Sequence, residues 1–232
     1  MDYSLVKVSS SFPIERRPIY VHPLTPVTKR NRDTAYPILA SAVRSIAAKY
    51  PEDRILVHTV SYDLASYITA NAGSEPNGSI GSDADLQPNR FITYSSSQSR
   101  ERAIQQYREN RRSILIASSL DRGIDLPAED CRCIVVCKVP YPNLGDKQVS
   151  ARLHARNGQL WYNVQTIRSL VQMTGRGMRS VDDYCDTYIL DSQFMSIYRK
   201  NGNLLPKWWK DAIVASSGNT MSMYDNPIRT GA

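Results

Sequence analysis

The sequence has 232 residues, of which 41% are hydrophobic and 22% charged, so it is neither intrinsically disordered nor collagen-like. Lys and Arg (29) outnumber Asp and Glu (22), and the net charge of +7 favours a polyanionic partner such as nucleic acid, although solubility alone would also explain it. There is no run of about 20 apolar residues and no signal-peptide pattern, so we expect no membrane partner and an intracellular location, cytoplasmic, nucleoid or nuclear.

The first part of the chain predicts an extended segment followed by one strand-helix unit. Residues 1–33 are rich in Ser, Pro and charged side chains and show little helical periodicity. Apolar residues then recur at helical spacing over residues 34–49. A β-rich run over residues 54–60 precedes Ser61, which we expect to cap a helix over residues 62–72.

The rest of the chain alternates apolar strands with amphipathic helices. The remaining predicted elements are a surface loop at 74–89, strands at 90–94, 113–118, 133–139 and 184–190, and helices at 99–110, 147–156, 161–173 and 206–215. This alternation predicts an α/β domain over residues 34–216, with a mostly parallel sheet flanked by helices on both faces. Residues 217–232 are expected to form a flexible tail. Ligands of such sheets bind beyond the carboxyl ends of the strands.

The four cysteines match neither a disulfide framework nor a zinc site. They are Cys131, Cys133, Cys137 and Cys185. Structural zinc ligands are usually two to four residues apart across a turn, whereas Cys131 and Cys133 are expected to share one face of a strand. We therefore predict buried or half-buried free thiols and no metal bound by this chain.

The most informative pattern is Q-x-x-G-R-x-x-R, formed by Gln172, Gly175, Arg176 and Arg179 after a predicted helix. Two arginines three apart on a helical turn would face the same way, and their planar guanidiniums suit phosphate oxygens. Gly175 would let another backbone or a ligand approach closely. The alternative interpretation is two surface arginines that flank a turn.

A second motif lies upstream in residues 114–127 (ILIASSLDRGIDLP), where an apolar strand runs into a loop with hydroxyl groups. The strand end offers free backbone donors together with Ser118, Gly123 and Asp125, which suit contacts to a nucleotide or a phosphate backbone. By itself this pattern occurs in many α/β proteins. In combination with Q-x-x-G-R-x-x-R it is a strong indication of phosphate chemistry.

In this order, the two motifs resemble motifs V and VI of the second motor domain of superfamily two helicases. The long spacer and the segment 139–153 (VPYPNLGDKQVSARL) are similar to XPD/DinG-type DNA helicases, and residues 57–62 (VHTVSY) resemble motif IV. In the DEAD-box branch, motif VI usually begins with His and follows motif V closely. The sequence departs from the family pattern at three positions, Arg122, Cys185 and Gln193.

The resemblance implies a RecA-like fold and a role as the second motor lobe of an ATP-dependent DNA helicase of the kind that works in DNA repair. It implies that ATP binds between two lobes, with Arg176 and Arg179 as arginine fingers beside Gln172. Gly123, Asp125 and Gly175 would lie near the nucleotide. The candidates for gripping single-stranded DNA are Ser61, Tyr62, Ser118 and Arg152, with Tyr141 as a base-stacking side chain.

The sequence lacks both the G-x-x-x-x-G-K-[ST] phosphate loop and a D-E-x-[DH] magnesium motif. In the resembling family, these elements lie in the N-terminal motor domain, which would hold most of the ATP and Mg²⁺ and would be present in cis or as a separate subunit. This chain alone is therefore expected to be inactive. The alternatives are a non-enzymatic nucleic-acid-binding or partner-docking module, and an RNA remodeller of the DEAD-box type, which Gln172 and the long spacer disfavour.

Overall fold

A single parallel sheet organises the protein in the computed structural model, which describes residues 10–73, 88–118, 126 and 128–214. Within these residues the sheet has six strands in the order β1-β6-β5-β2-β4-β3. The strands are β1 (Ile19–Thr25), β2 (Ile55–His58), β3 (Phe91–Thr93), β4 (Ile114–Ala117), β5 (Cys133–Val136) and β6 (Asp186–Asp191). The helices are α1 (Arg32–Ala48), α2 (Tyr62–Asn71), α3 (Ser97–Glu109), α4 (Lys147–His154), α5 (Gly158–Thr174), α6 (Gln193–Asn201) and α7 (Lys207–Lys210).

Helices cover both faces of the sheet, so the central strands β2, β4 and β5 are completely buried. Side chains alternate across each strand, and Leu56 therefore packs on one face while Val57 packs on the other. The face of Val57 is covered by α1 and α2, and the face of Leu56 by α3, α5, α6 and α7. The predicted α/β architecture with a parallel sheet is confirmed.

The sheet begins earlier in the chain than the sequence pattern indicates. Residues 19–25, which we assigned to an extended segment ahead of the domain, form β1 and pair in parallel with β6. This edge strand has half-exposed positions, a register shift between Val21 and Thr25, and Pro23 in its middle. It therefore has no unbroken apolar run of the kind that marks a central strand. A second element that the pattern did not predict is the polar helix α6, which follows β6 directly.

Helix boundaries agree with the predictions at α2 and differ at α3 and α7. The Ser61 hydroxyl accepts a hydrogen bond from the Leu64 amide at 3.3 Å and caps α2 as predicted. Helix α3 is capped by Ser96 rather than by Ser99. Ser99 instead takes the third helical position, and its side chain bonds back to the Ser96 amide at 3.1 Å. Helix α7 is short because Ile213 leaves it to bridge the edge strand β1.

All four cysteines are free and buried. Cys131 and Cys133 lie on opposite faces of the sheet, so the expectation of a shared face was wrong. Cys131 precedes β5, and the two-residue alternation holds only within an extended strand. The residues that the structure describes contain no group of three or more His, Cys, Asp or Glu side chains placed to hold a metal. Among the same residues, no helix is both long and apolar enough to cross a bilayer.

Candidate functional site

Polar side chains gather at the edge where the parallel strands end, which we call the carboxyl edge. Ser61 and Tyr62 follow β2, and Ser118 follows the neighbouring strand β4. Tyr62 is 47% exposed, whereas Ser118 is only 5% exposed, and its hydroxyl makes no hydrogen bond with any other described residue. A buried hydroxyl without a partner costs free energy, so this oxygen is suited to a ligand at the strand ends.

The turn that leads from β2 into α2 has an unusual backbone. Val60 has a φ of 59°, a left-handed conformation that a β-branched residue rarely adopts. Such a conformation costs on the order of 1–3 kcal/mol and persists only where neighbouring contacts hold it. The Thr59 hydroxyl supplies part of that support, because it lies 3.0 Å from the carbonyl of Ser61 and 3.2 Å from that of Ala117. This turn aims Ser61 and Tyr62 at the carboxyl edge.

Tyr141 and Arg152, the other two predicted DNA contacts, pack against aromatic side chains of α5. The ring of Tyr141 stacks on Tyr162 with centroids 5.9 Å apart, and burial raises the pKa of its hydroxyl. Tyr162 in turn donates a hydrogen bond to the carbonyl of Pro142. The guanidinium of Arg152 lies 4.7 Å from the ring of Trp161. Each of the two predicted residues therefore already has an aromatic partner within the chain.

The Q-x-x-G-R-x-x-R motif spans the end of α5. Gln172 is exposed in the last turn, and the helix ends at Thr174. Arg176 and Arg179 lie beyond this end, so the expectation that they share a helical turn was wrong. Arg176 is half-buried, whereas Arg179 is exposed. Because the chain leaves the helix at Gly175, helical spacing no longer places the two guanidiniums on one face.

The close approach that we expected at Gly175 occurs at Gly177 instead. A methyl group added to Gly175 would lie 3.5 Å from the nearest atom, which is ordinary van der Waals contact. A methyl group added to Gly177 would lie 2.5 Å from the sulfur of Cys185 and 2.8 Å from the carbonyl oxygen of Cys131. The second glycine of the G-R-G triplet is therefore the one that packs against the core.

Asp183 shapes the loop that follows. It is 6% exposed, and its carboxylate accepts hydrogen bonds from the amides of Arg179 (2.8 Å) and Ser180 (2.9 Å). Two charge-assisted bonds to consecutive amides hold the loop backbone in one conformation. The sequence analysis did not single out Asp183, because a carboxylate in a polar loop has no distinctive pattern.

His58 is a second residue that the sequence analysis missed. It is the last residue of β2, is completely buried, and lies on the sheet face that α5 covers. Burial and the charge of Arg176 lower the pKa of His58 to about 3, and the nearby Met173 backbone opposes this only partly. Neither ring nitrogen makes a hydrogen bond of full geometry with the described part of the protein. A neutral imidazole therefore lies between the strand that leads to Ser61 and the loop that carries Arg176.

Asp191 ties three loops together at the carboxyl edge. Its buried carboxylate accepts hydrogen bonds from the amides of Val27 (3.3 Å), Val139 (2.9 Å) and Gln193 (2.9 Å). Burial raises the pKa of Asp191, and the three amide donors oppose that shift. An Asp that ends an apolar strand could have indicated this role. The predicted nucleotide contacts Gly123 and Asp125 lie outside the described residues.

Comparisons with known proteins agree with this arrangement. The sequence profile of the helicase C-terminal domain family matches residues 43–212. The chain is 26% identical over 113 residues to the ATP-dependent DNA helicase XPD of Sulfolobus acidocaldarius, covering 45% of this chain and 19% of that protein. It is 24% identical over 111 residues to the regulator of telomere elongation helicase 1 homolog of Caenorhabditis elegans, covering 42% of this chain and 11% of that protein.

A solved structure of XPD without ligand shares the fold. It superposes with a TM-score of 0.56 at 19% identity, covering 88% of this chain and 39% of that one. The parallel sheet with helices on both faces is therefore a RecA-like fold. The matched stretch spans less than a fifth of the length of the curated relatives described here.

Proposed function

The chain belongs to the helicase C-terminal domain family, and from this membership we propose that it is the second motor lobe of an ATP-dependent DNA helicase. The observation that carries the proposal is the position of Arg176. Its guanidinium is half-buried at the end of α5 and is electrostatically coupled to His58. His58 ends the strand that leads into Ser61. A cation suited to phosphate is thus coupled to the strand that leads to the proposed DNA contacts.

On the nucleotide side, ATP would bind between this lobe and an N-terminal motor lobe. Arg176 and Arg179 would stabilise the charge that spreads over the transferring phosphoryl group, an effect worth about 10³–10⁵ in rate for known arginine fingers. Asp183 supports this role because it fixes the backbone at Arg179. Gln172, at the exposed end of α5, would contact the nucleotide beside them, and Gly123, Asp125 and Gly175 would complete this side.

Mg²⁺ would be held mainly by the N-terminal lobe. The described residues of this chain place no three potential ligands together, and the sequence has no phosphate loop that would position a magnesium-bound nucleotide. When bound there, Mg²⁺ supplies charge neutralisation at the phosphate oxygens. This lobe then contributes positioning and positive charge rather than the primary grip on ATP.

On the DNA side, a single strand would cross the carboxyl edge. The hydroxyls of Ser61 and Ser118 and the free amides at the start of α2 would bind phosphate oxygens. Tyr62 offers an exposed ring on which a base can stack. Tyr141 has one ring face against Tyr162, so any base would use the other face. Arg152, on its aromatic support, would add a phosphate contact.

A non-enzymatic nucleic-acid-binding module is the second candidate, because the sequence contains no phosphate loop. Such a module would keep the DNA contacts and make no use of Arg176. The two candidates therefore differ in what the loss of that side chain does.

The test is steady-state ATP hydrolysis by this chain joined to its N-terminal motor lobe, with single-stranded DNA present. Arg176→Ala should lower hydrolysis by about 10³ or more, and Arg176→Lys should not restore it because an ammonium lacks the planar fork. DNA affinity should change little. Normal hydrolysis in the alanine variant together with lost DNA affinity would place Arg176 in the DNA channel and refute the proposal.

A further inference from the structure

The turn between β1 and α1 presents two adjacent basic side chains. Lys29 and Arg30 are both exposed at its tip. Within the described ranges, neither has an acidic group within salt-bridge distance. The two acidic groups nearby, Asp33 and Asp63, each lie within 4 Å of Arg32 instead, at 3.4 and 3.8 Å. The charges of Lys29 and Arg30 are therefore available to an external anion.

This dibasic pair differs from arginines elsewhere in the protein. Near the opposite edge of the sheet, where the strands begin, Arg54 donates to the carbonyls of Tyr107 and Arg108, and Arg112 donates to that of Pro51. Those guanidiniums satisfy backbone oxygens of the fold itself. Lys29 and Arg30 have no comparable structural task among the contacts of the described residues.

The turn is held in one shape before any ligand binds. The Asn31 side-chain oxygen accepts hydrogen bonds from the amide (2.9 Å) and hydroxyl (2.7 Å) of Thr28, and its nitrogen donates to the carbonyl of Pro26. At the base of the turn, Val27 is fixed by Asp191 and by a 3.2 Å hydrogen bond from Gln193. A preformed turn loses little conformational entropy on binding.

The turn adjoins the proposed DNA contacts. Helices α1 and α2 both start at the carboxyl edge and pack side by side. Near the start of α1, the hydroxyl of Tyr36 donates to the carboxylate of Asp63 at 3.1 Å, and Arg32 contacts the same carboxylate. Asp63 is the neighbour of Tyr62. The surface from Lys29 to Tyr62 is therefore continuous across the two helix starts.

We propose that this turn, residues 28–32, is an additional binding surface for the phosphate backbone of a single nucleic acid strand. Lys29 and Arg30 bind phosphates next to the nucleotide that stacks on Tyr62, and the turn lengthens the strand's track beyond the ends of β2 and β4. The inference rests on the proposed function, because it assumes that a single strand crosses the carboxyl edge.

The experiment titrates fluorescent oligothymidylates of increasing length, about 4 to 20 nucleotides, with the full chain at two salt concentrations. The test variant is Lys29→Gln with Arg30→Gln. The control is Arg199→Gln with Lys200→Gln, which removes the same charge from an exposed pair on α6, a helix of the opposite sheet face. Circular dichroism checks that both variants are folded.

The turn variant should bind long oligonucleotides about 10- to 30-fold more weakly, and its salt slope should fall by about 1.4, or 0.7 for each lost phosphate contact on a single strand. The shortest oligonucleotides, which reach only the ends of β2 and β4, should bind it as they bind the unaltered chain. The control should stay within about twofold at every length.

Three results would overturn the inference. Equal losses in the turn variant and the control would show that only net charge matters. Unchanged binding of long oligonucleotides by the turn variant would exclude the turn while leaving the proposed function intact. If the unaltered chain binds no single-stranded DNA even at low salt, the proposed function fails and this inference fails with it.

Discussion

Replacing Gly177 by Ala tests the packing beneath the Q-x-x-G-R-x-x-R motif. The new methyl carbon would lie 2.5 Å from the Cys185 sulfur and 2.8 Å from the Cys131 carbonyl oxygen, about 1 Å inside ordinary contact for the sulfur. Cys185 is 1% exposed, and the second obstacle is backbone, so neither group can move into solvent. Overpacking of this kind costs about 1–3 kcal/mol. The arginine-bearing loop would have to shift with it.

The matched control is Gly175→Ala, two residues earlier. There the methyl carbon lies 3.5 Å from the Val171 carbonyl, and φ is −93°, so alanine fits without strain. Its free energy of unfolding should stay the same or rise by about 0.4–1 kcal/mol, because the unfolded chain loses flexibility. Urea unfolding of both variants, followed by circular dichroism, measures the difference. Gly177→Ala should also lower Tm by about 2–12 °C.

The double variant Gly177→Ala with Cys185→Ala identifies the contact itself. Removing the sulfur should cancel part of the cost, giving a favourable coupling of about 0.5–3 kcal/mol in a double-mutant cycle. The reasoning is refuted if Gly177→Ala is as stable as the unaltered chain, or if Gly175→Ala is destabilised as much. Additive effects of the two substitutions would likewise show that glycine and sulfur do not oppose each other.

Two further predictions concern the carboxyl edge. Because the pKa of His58 falls from 6.5 to about 3 on folding, the unfolded chain binds a proton that the folded chain does not, and stability should decline as the pH falls below about 6.5. His58→Leu should flatten this decline in urea unfolding at several pH values, His22→Gln should flatten it less, and an unchanged slope in the first variant would contradict the assignment. Tyr62→Ala should weaken single-stranded DNA binding by about 1–3 kcal/mol if a base stacks there. The control Tyr198→Ala, an exposed tyrosine of α6, should bind normally in the same anisotropy assay, and equal effects of the two substitutions would count against stacking.

Much of the fold could be predicted from the sequence, because its central strands carry their own pattern. The runs at 55–58, 114–117 and 133–136 are continuously apolar, and a strand buried on both faces requires that pattern. The cap at Ser61 was equally predictable, since it depends on a hydrogen bond three residues along the chain. The edge strand β1 was not predictable, because its pairing with β6 links segments far apart in sequence.

The types of residue at the candidate site were determined by the sequence alone, as the order of its motifs identified the helicase lobe. How those residues are arranged was decided by the tertiary structure. Gly177 matters because Cys185 and the Cys131 carbonyl approach it from other strands, and the helix that should have aligned Arg176 with Arg179 ends too soon. His58 and Asp191 were missed for the same reason. Local patterns report the bonds a segment makes with itself, whereas burial, charge coupling and long-range hydrogen bonds exist only once distant segments have packed together.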